Sequence, residues 1–185
     1  MTGEPRNVEV IDAFGFSADE LRTRYQAIYQ RLHDRVKPER DVDRMDSVRE
    51  RWWLRRRLRE DLRGMLKGLP RHIATVETAK HRTFQFLDAS ILPDNRLIAI
   101  ALNSCFSLGV LSSSVHQAWA LAVGGTSEDR LVYNKTTCLE TVPFPAEGTG
   151  LTPELCQEIA SLSERIDGNR KIQQAEHPGL TLTGM

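Results

Sequence analysis

The 185-residue sequence has few cysteines, no net charge and no long apolar run. Its three cysteines are scattered and form no CxxC pair, which argues against a disulfide framework or a zinc site and favours a reducing, cytoplasmic setting. No segment resembles a signal peptide or is long enough to span a bilayer, so we expect no membrane partner. The 25 basic and 25 acidic residues cancel, and overall charge therefore does not point to a nucleic-acid partner.

Several catalytic motifs are also missing. No proline is followed by another proline, so the Asn-Pro-Pro-aromatic element that receives a flipped adenine is absent, and no glycine-rich strand-to-helix turn is present to hold a methyl donor. Pro93-Asp94 imitates the start of a PD…(D/E)xK nuclease motif, but its second half is absent and we interpret it as a turn. Ser112, Ser113 and Ser114 could pair with His81 or His116 in a hydrolase, but no GxSxG elbow is present. We expect no catalytic, cofactor-binding or metal-binding residue in this chain.

The strongest patterns lie between Thr83 and Pro145. Alternating aromatic and polar residues predict a strand at Thr83–Leu87, and Pro93-Asp94-Asn95 predicts a turn. The apolar run Leu97–Leu102 predicts a strand covered on both faces, at the centre of a sheet. Leu108–Ala122 predicts one helix, whose apolar face contains Leu108, Leu111, Val115, Trp119 and Ala122 and whose polar face contains Ser113, His116 and Gln117.

Helices are predicted on both sides of this stretch. Ser17 and Glu20 form a capping box at the start of a packing helix that runs towards Pro38, with an apolar stripe of Leu21, Tyr25, Ile28 and Leu32. Thr152 and Pro153 begin a final helix, with a stripe of Leu155, Ile159, Leu162 and Ile166. Between the last strand and the central helix, residues 124–130 are predicted to form a loop.

A second helical region is predicted from Asp41 to Lys67, with a break near Trp52-Trp53, which we interpret as core anchors. From Arg49 to Arg71 there are nine basic residues and three acidic ones. Arginine suits phosphate because its planar fork binds in two places. A basic arc on this helix is therefore a candidate phosphate contact, and a solvated helix face is the alternative: Arg56, Arg59, Arg63 and Lys67.

Two polar segments beside predicted strands are candidates for reading bases. Lys80-His81-Arg82 follows the strand predicted at Arg71–Val76 and enters the next one, and Asn134-Lys135-Thr136 enters the last strand. Asn can pair two-pronged with adenine, and Arg or Lys with guanine. The alternatives are a solvated basic turn for the first segment and ordinary turn residues for the second.

Four motifs occur in an order that resembles one protein family. They are Arg71-His72-Ile73-Ala74-Thr75, Lys80-His81-Arg82-Thr83-Phe84, Leu108-Gly109-Val110-Leu111-Ser112-Ser113 with His116 and Trp119, and Tyr133-Asn134-Lys135-Thr136-Thr137-Cys138 running to Pro143-Phe144-Pro145. This order is similar to the target-recognition region of MmeI-like DNA adenine methyltransferases, which include type IIG restriction–modification enzymes. The resemblance covers most of Trp52 to Pro145.

The resemblance implies a fragment that reads double-stranded DNA for a site-specific methyltransferase. The S-adenosylmethionine site, the adenine-N6 transfer and any fused nuclease would lie outside this chain, and the methyltransferase domain of the same parent protein would be a partner. The implied fold is α+β, a small mixed or antiparallel sheet with a packed central helix and helical segments at both ends. We divide it into a helical connector (1–50), a target-recognition domain (51–146) and a C-terminal helical segment (147–185).

The DNA contacts implied in this way are Arg56, Arg59, Arg63, Lys67, Arg71, Lys80, His81, Arg82, Ser113, His116, Asn134, Lys135 and Thr136. Two other functions remain open. One is a protein–protein adaptor that docks through its amphipathic helices, and the other is a small serine hydrolase.

Overall fold

The computed structural model describes residues 9–91, 93, 96–127 and 130–177. The chain divides between Asp61 and Leu62 into two compact units, which we call the helical unit (described residues up to Asp61) and the sheet unit (described residues from Leu62 onwards). The predicted α+β class is confirmed, because helices at both ends flank antiparallel sheets. None of the described helices has both the length and the apolar character of a transmembrane span.

The helical unit begins with three short helices in place of the one predicted. These are α1 (Ala18–Arg24), α2 (Gln26–Arg35) and α3 (Lys37–Asp41). The predicted capping box is confirmed, since the Ser17 hydroxyl accepts from the Glu20 amide and the Glu20 carboxylate accepts from the Ser17 amide. Tyr25 leaves the helical conformation at φ −135°, which separates α1 from α2. Of the predicted stripe only Leu21 is buried, because the break at Tyr25 changes the face that follows it.

Trp52 and Trp53 anchor this unit, as predicted. Trp52 is buried and its ring lies edge-on to Tyr29, with the ring centroids 5.6 Å apart. The Trp53 indole Nε1 donates to the main-chain oxygen of Phe16 at 2.9 Å. The two tryptophans therefore tie the chain after α3 back to the residues around α1 and α2.

The predicted helical region from Asp41 to Lys67 is mostly not helical. Only α4 (Asp46–Glu50) and α5 (Glu60–Leu66) form, and residues 51–59 between them are turns and irregular chain. Packing of the tryptophans overrides the helical periodicity of the sequence there, and Arg59 adopts a left-handed φ of 52°. The prediction of one continuous basic helix face is therefore wrong.

The first sheet of the sheet unit has three antiparallel strands. They are β1 (Arg71–Val76), β3 (Gln85–Asp88) and β4 (Leu97–Ile100), in the order β3-β1-β4, with Ile73 opposite both Phe86 and Ile100. The strand predicted at Arg71–Val76 is confirmed and lies at the centre. The prediction that the Leu97 run is central is wrong: β4 is an edge strand of intermediate burial for most of its length. The predicted turn at Pro93 falls largely on Asp94 and Asn95, outside the described residues.

A second, smaller sheet was not predicted. It consists of β2 (Thr78–Ala79), β5 (Gly125–Ser127) and β6 (Arg130–Val132), in the order β2-β6-β5. Residues 124–130, predicted as a loop, thus contain β5 and the first residue of β6; Glu128 and Asp129 lie outside the described residues. Asn134 does not enter a strand but follows β6 and caps a π-helix, Lys135–Leu139.

The predicted central helix is two helices, α6 (Cys105–Ser112) and α7 (Ser114–Val123). Ser113 between them is extended at ψ 154°, donates its hydroxyl to the Val110 carbonyl oxygen and accepts from the His116 amide. The hydroxyl therefore ends one helix and caps the next. The change of direction also overturns the predicted faces, because Val115 is 78% exposed and His116 only 1%.

The core of the sheet unit lies where the two sheets meet α6 and α7. Its ten buried members are Ile73, Phe84, Phe86, Ile100, Leu108, Leu111, Ala120, Leu131, Tyr133 and Cys138. The last helix, α8 (Pro153–Glu176), packs against α6 and begins at the predicted cap, Thr152. Its predicted apolar stripe is largely outside the contact: Ser163 and Asp167 are buried, whereas Leu155, Leu162 and Ile166 are exposed.

Candidate nucleic-acid interface

Arg82 is buried between the two sheets. Its guanidinium donates from Nη1 to the Val76 carbonyl oxygen and from Nη2 to the carbonyl oxygens of Glu77 and Leu131, the last at 2.9 Å. It also lies 4.7 Å above the ring of Tyr133. Burial lowers the pKa of Arg82 from its ordinary value. The side chain is only 9% exposed, so its Nη1 and Nη2 donors are committed to the fold, whereas its buried Nε has no partner among the described residues.

His116 is buried beside it, together with two aromatic rings. The imidazole Nε2 shares a 2.8 Å hydrogen bond with the Tyr133 hydroxyl, and the rings of Phe84, His116 and Tyr133 meet edge to face. Burial, and then the nearby Arg82 charge, lower the pKa of His116, while burial raises that of Tyr133. A neutral imidazole that is 1% exposed supports the core and has no surface to offer a ligand.

Arg71 and Ser113 are also engaged within the fold. The Arg71 guanidinium lies 3.7 Å from the Phe86 ring centre and donates to the Asn103 carbonyl oxygen and the Cys105 sulfur. The Ser113 hydroxyl, at the junction of α6 and α7, donates one hydrogen bond and accepts another. Both are partly exposed, but the Arg71 Nε and Nη2 atoms and the Ser113 hydroxyl already have partners.

The Asn134–Thr136 segment, in contrast, is exposed. The Asn134 Oδ1 accepts from the amide and the hydroxyl of Thr136, at 2.9 and 2.7 Å, which caps the π-helix. These contacts fix the side chain while its Nδ2 group points away from both bonds. Lys135 beside it is exposed as well. The segment thus presents an amide donor and an ammonium group on a rigid turn, which is what base readout requires.

Lys80 and His81 are exposed at the other end of the second sheet. Ala79 is opposite Leu131 in the antiparallel pair of β2 and β6, so Lys80 lies at the same end as Arg130, while Asn134 leaves β6 at the opposite end. Arg130 and Asn134 are four residues apart, a span of about 13 Å in extended chain. This is close to the width of a DNA major groove, about 12 Å. The two predicted segments therefore flank one small sheet.

The four members of the predicted basic arc do not share a helix. Arg56 and Arg59 lie in the irregular chain of the helical unit, Arg63 is in α5, and Lys67 follows it. Arg56 pairs with Asp43. Arg59, Lys67 and the neighbouring Arg57 are exposed, so individual phosphate contacts remain a prediction.

Sequence reasoning missed the polar hairpin next to Lys80. Thr126 and Ser127 on β5 and Arg130 on β6 are all exposed, and Ser127 is directly opposite Arg130. A two-stranded ribbon of this kind fits a major groove. The available signal was two short runs, Gly125–Ser127 and Arg130–Val132, separated by two residues, which is hairpin spacing.

The described residues also bear on catalysis. No group of three or more His, Cys, Asp or Glu side chains among them is placed to hold a metal ion. The connection that leads from strand β4 into helix α6, residues 101–104, contains no glycine. A methyl donor bound at a strand-to-helix turn needs glycine for close backbone approach. This connection therefore lacks the glycine that such a turn uses.

The sequence model of one protein family, described as "MmeI, target recognition domain", matches residues 20–146. The match covers more than half of the chain and contains both exposed segments, so the chain belongs to this family of target recognition domains. Membership implies recognition of DNA sequence within a restriction–modification enzyme. No curated protein and no solved structure matches the chain.

Proposed function

We propose that the chain reads the target site of a cytoplasmic, S-adenosylmethionine-dependent DNA adenine-N6 methyltransferase of the type IIG kind. The family match over residues 20–146 carries this proposal. The donor site and the catalytic motifs would belong to the methyltransferase domain of the parent protein, the chain's second partner. This division is consistent with the absence of glycine from the connection between β4 and α6.

In this proposal, the exposed groups around the second sheet read the bases. They are Lys80 and His81 at one end, Asn134, Lys135 and Thr136 at the other, and Thr126, Ser127 and Arg130 on the hairpin. Arg82, His116 and Ser113 are left out, because their polar groups hold the scaffold together. They act on DNA only by positioning the segments that touch it.

The test replaces the Asn134 amide in the parent enzyme. Asn134→Asp keeps the oxygen that caps Thr136 but turns the donor into a negatively charged acceptor. We expect the methylated sequence to change or relax at one base position, since a two-pronged Asn contact contributes about 1–3 kcal/mol of discrimination. Sequencing of the methylated sites measures this directly.

Asn169→Asp is the matched control. Asn169 is exposed on α8, so the same chemical change is made far along the chain from the second sheet. It should leave the methylated sequence unchanged. If Asn134→Asp methylates the same sequence at the same rate, Asn134 does not read DNA.

A further inference from the structure

The segment from Arg51 to Arg59 in the helical unit concentrates positive charge. It contains five arginines and no acidic residue. Because α4 ends at Glu50 and α5 begins at Glu60, these side chains are not distributed around a helix. Their arrangement is instead set by the irregular chain that the two tryptophans anchor.

Three of these arginines line one small cavity, which we call the arginine pocket (Arg51, Arg55 and Arg56). Val48, buried at 7% exposure, and the partly buried Leu54 and Leu58 also line it. The cavity measures about 30 Å³. A cavity needs about 10–15 Å³ by this measure to hold one water molecule, so the pocket has room for one or two oxygen atoms rather than a whole nucleotide.

The charges in the arginine pocket are not balanced within the helical unit. Asp43 pairs with Arg56, and its side chain is 11% exposed. The side chains of Arg51 and Arg55 form no ion pair or hydrogen bond within the described part of the chain. Guanidinium groups stay charged at any physiological pH, so neighbouring ones repel each other until an anion joins them. The pocket therefore attracts an anion.

We propose that the arginine pocket binds one phosphate of the DNA backbone through a non-bridging oxygen. This inference rests on the proposed function, since it takes the phosphate to be that of the recognised duplex. Two guanidinium forks suit a phosphate diester, which offers two oxygens for charge-assisted hydrogen bonds. The helical unit thus contributes backbone contacts of its own, separate from the base-reading segments of the sheet unit, and the family match includes the pocket.

The test measures how the affinity of the full chain for duplex DNA depends on salt. Arg51→Gln/Arg55→Gln removes two charges from exposed side chains, so the fold should survive; circular dichroism and thermal unfolding check this. The pocket is proposed to hold one phosphate, so its loss should lower the slope of log affinity against log salt by roughly 0.9. The loss should be equal for DNA duplexes of unrelated sequence, because phosphates carry no sequence information.

Arg22→Gln/Arg35→Gln is the matched control. It removes the same charge from two exposed arginines of α1 and α2, outside the pocket, and should leave the slope close to that of the unchanged chain. If the pocket variant keeps the original slope, or if both double variants lower it equally, the pocket is not a phosphate site.

A second variant acts in the opposite direction. Asp43→Asn removes the carboxylate that competes for Arg56 while its amide oxygen can still accept from the Met45 amide. We expect tighter DNA binding and a steeper salt slope. Weaker binding by a folded Asp43→Asn protein contradicts the proposal.

Inorganic phosphate distinguishes the source of the anion. Stabilisation of the chain by millimolar phosphate, lost in Arg51→Gln/Arg55→Gln without any change in the DNA slope, would make the pocket a small-anion site and overturn the assignment to DNA. Failure of the pocket alone leaves duplex binding and the Asn134→Asp effect intact. Absence of duplex binding by the unchanged chain overturns the proposed function and this inference together.

Discussion

At the scale of single residues, Arg82 shows how a recognition domain can use a cation to hold its own scaffold. One guanidinium bonds to carbonyl oxygens of β1, of Glu77 beyond it and of β6, and so links the first sheet to the second. The Glu77 carbonyl oxygen also accepts from the Tyr133 amide, so it takes part in both contacts. The exposed residues before and after the second sheet take their positions from this link.

Arg82→Ala is therefore expected to destabilise the protein. The change removes several charge-assisted hydrogen bonds from a buried position, a loss of roughly 3 kcal/mol in the free energy of unfolding. His81→Ala, at the adjacent exposed position, should change stability by less than about 0.5 kcal/mol. Urea denaturation measures both. If the Arg82→Ala protein is as stable as the wild type and has lost only DNA binding, Arg82 contacts DNA and does not hold the scaffold.

Residue type and sequence position predicted which segments were polar, but not which polar side chains reach solvent. Lys80, His81 and Arg82 are adjacent in sequence, yet only Arg82 turns inwards, because the facing carbonyls come from Val76 and Leu131. Leu131 is 49 residues away along the chain. Asn134 is exposed as predicted, since its cap is a local contact with Thr136. Local hydrogen bonds are visible in a sequence and distant ones are not.

At the scale of elements, the packing of α8 on α6 depends on a glycine. A Cβ placed on Gly109 would lie 2.6 Å from the Ile159 Cγ2 atom and 3.1 Å from the Ile159 carbonyl oxygen. Two helix backbones approach this closely only where a side chain is absent. The same approach explains why α8 contacts α6 through small and polar residues such as Ser163, with Leu162 and Ile166 outside the contact.

Gly109→Ala is expected to separate these helices and lower the free energy of unfolding by about 1–3 kcal/mol, the usual range for overpacking. Gly168→Ala is the control, because a Cβ there meets nothing within 4 Å and alanine favours a helix interior. It should raise stability by about 0.5–1 kcal/mol. Equal thermal midpoints for the two variants would mean that α6 and α8 do not pack as closely as described.

Element starts were predictable because helix caps are local. Ser17 with Glu20 and Thr152 with Pro153 both begin helices at the predicted positions. The break between α6 and α7 at Ser113 was not predictable, because a serine inside an apolar pattern also fits a continuous helix. The Leu97 run was assigned to the sheet centre on its composition alone, and composition does not say which strands pair with it.

At the scale of the whole molecule, strand order depends on pairings between distant segments. β1 is central in the first sheet because it pairs with both β3 and β4. The next strand, β2, belongs to the second sheet, where it pairs with β6 more than fifty residues later in the chain. The order of motifs along the chain was enough to identify the family, which the match over residues 20–146 confirms. It was not enough to predict two sheets in place of one.

Buried histidines connect the stability of the whole fold to pH. His72 and His116 are each 1% exposed, and burial lowers the pKa of both below the ordinary value of 6.5. Below pH 6.5 these histidines bind more protons in the unfolded chain than in the folded chain. The free energy of unfolding therefore decreases as the pH is lowered. The slope for each histidine is at most about 1.4 kcal/mol per pH unit.

We therefore expect the urea midpoint of unfolding to decrease as the pH is lowered from 7 to 5. Most carboxylates titrate below this pH range. In His116→Gln the fall should be shallower, because one of the two groups no longer titrates, even though loss of the Tyr133 bond makes this variant less stable throughout. His81→Gln, at an exposed position, should keep the original pH profile. Nuclear magnetic resonance titration of the imidazoles supplies the independent check. If His116 titrates near pH 6.5 in the folded protein, its burial against Tyr133 and Arg82 is contradicted, because a proton on a buried imidazole beside a guanidinium meets both a desolvation penalty and a like charge.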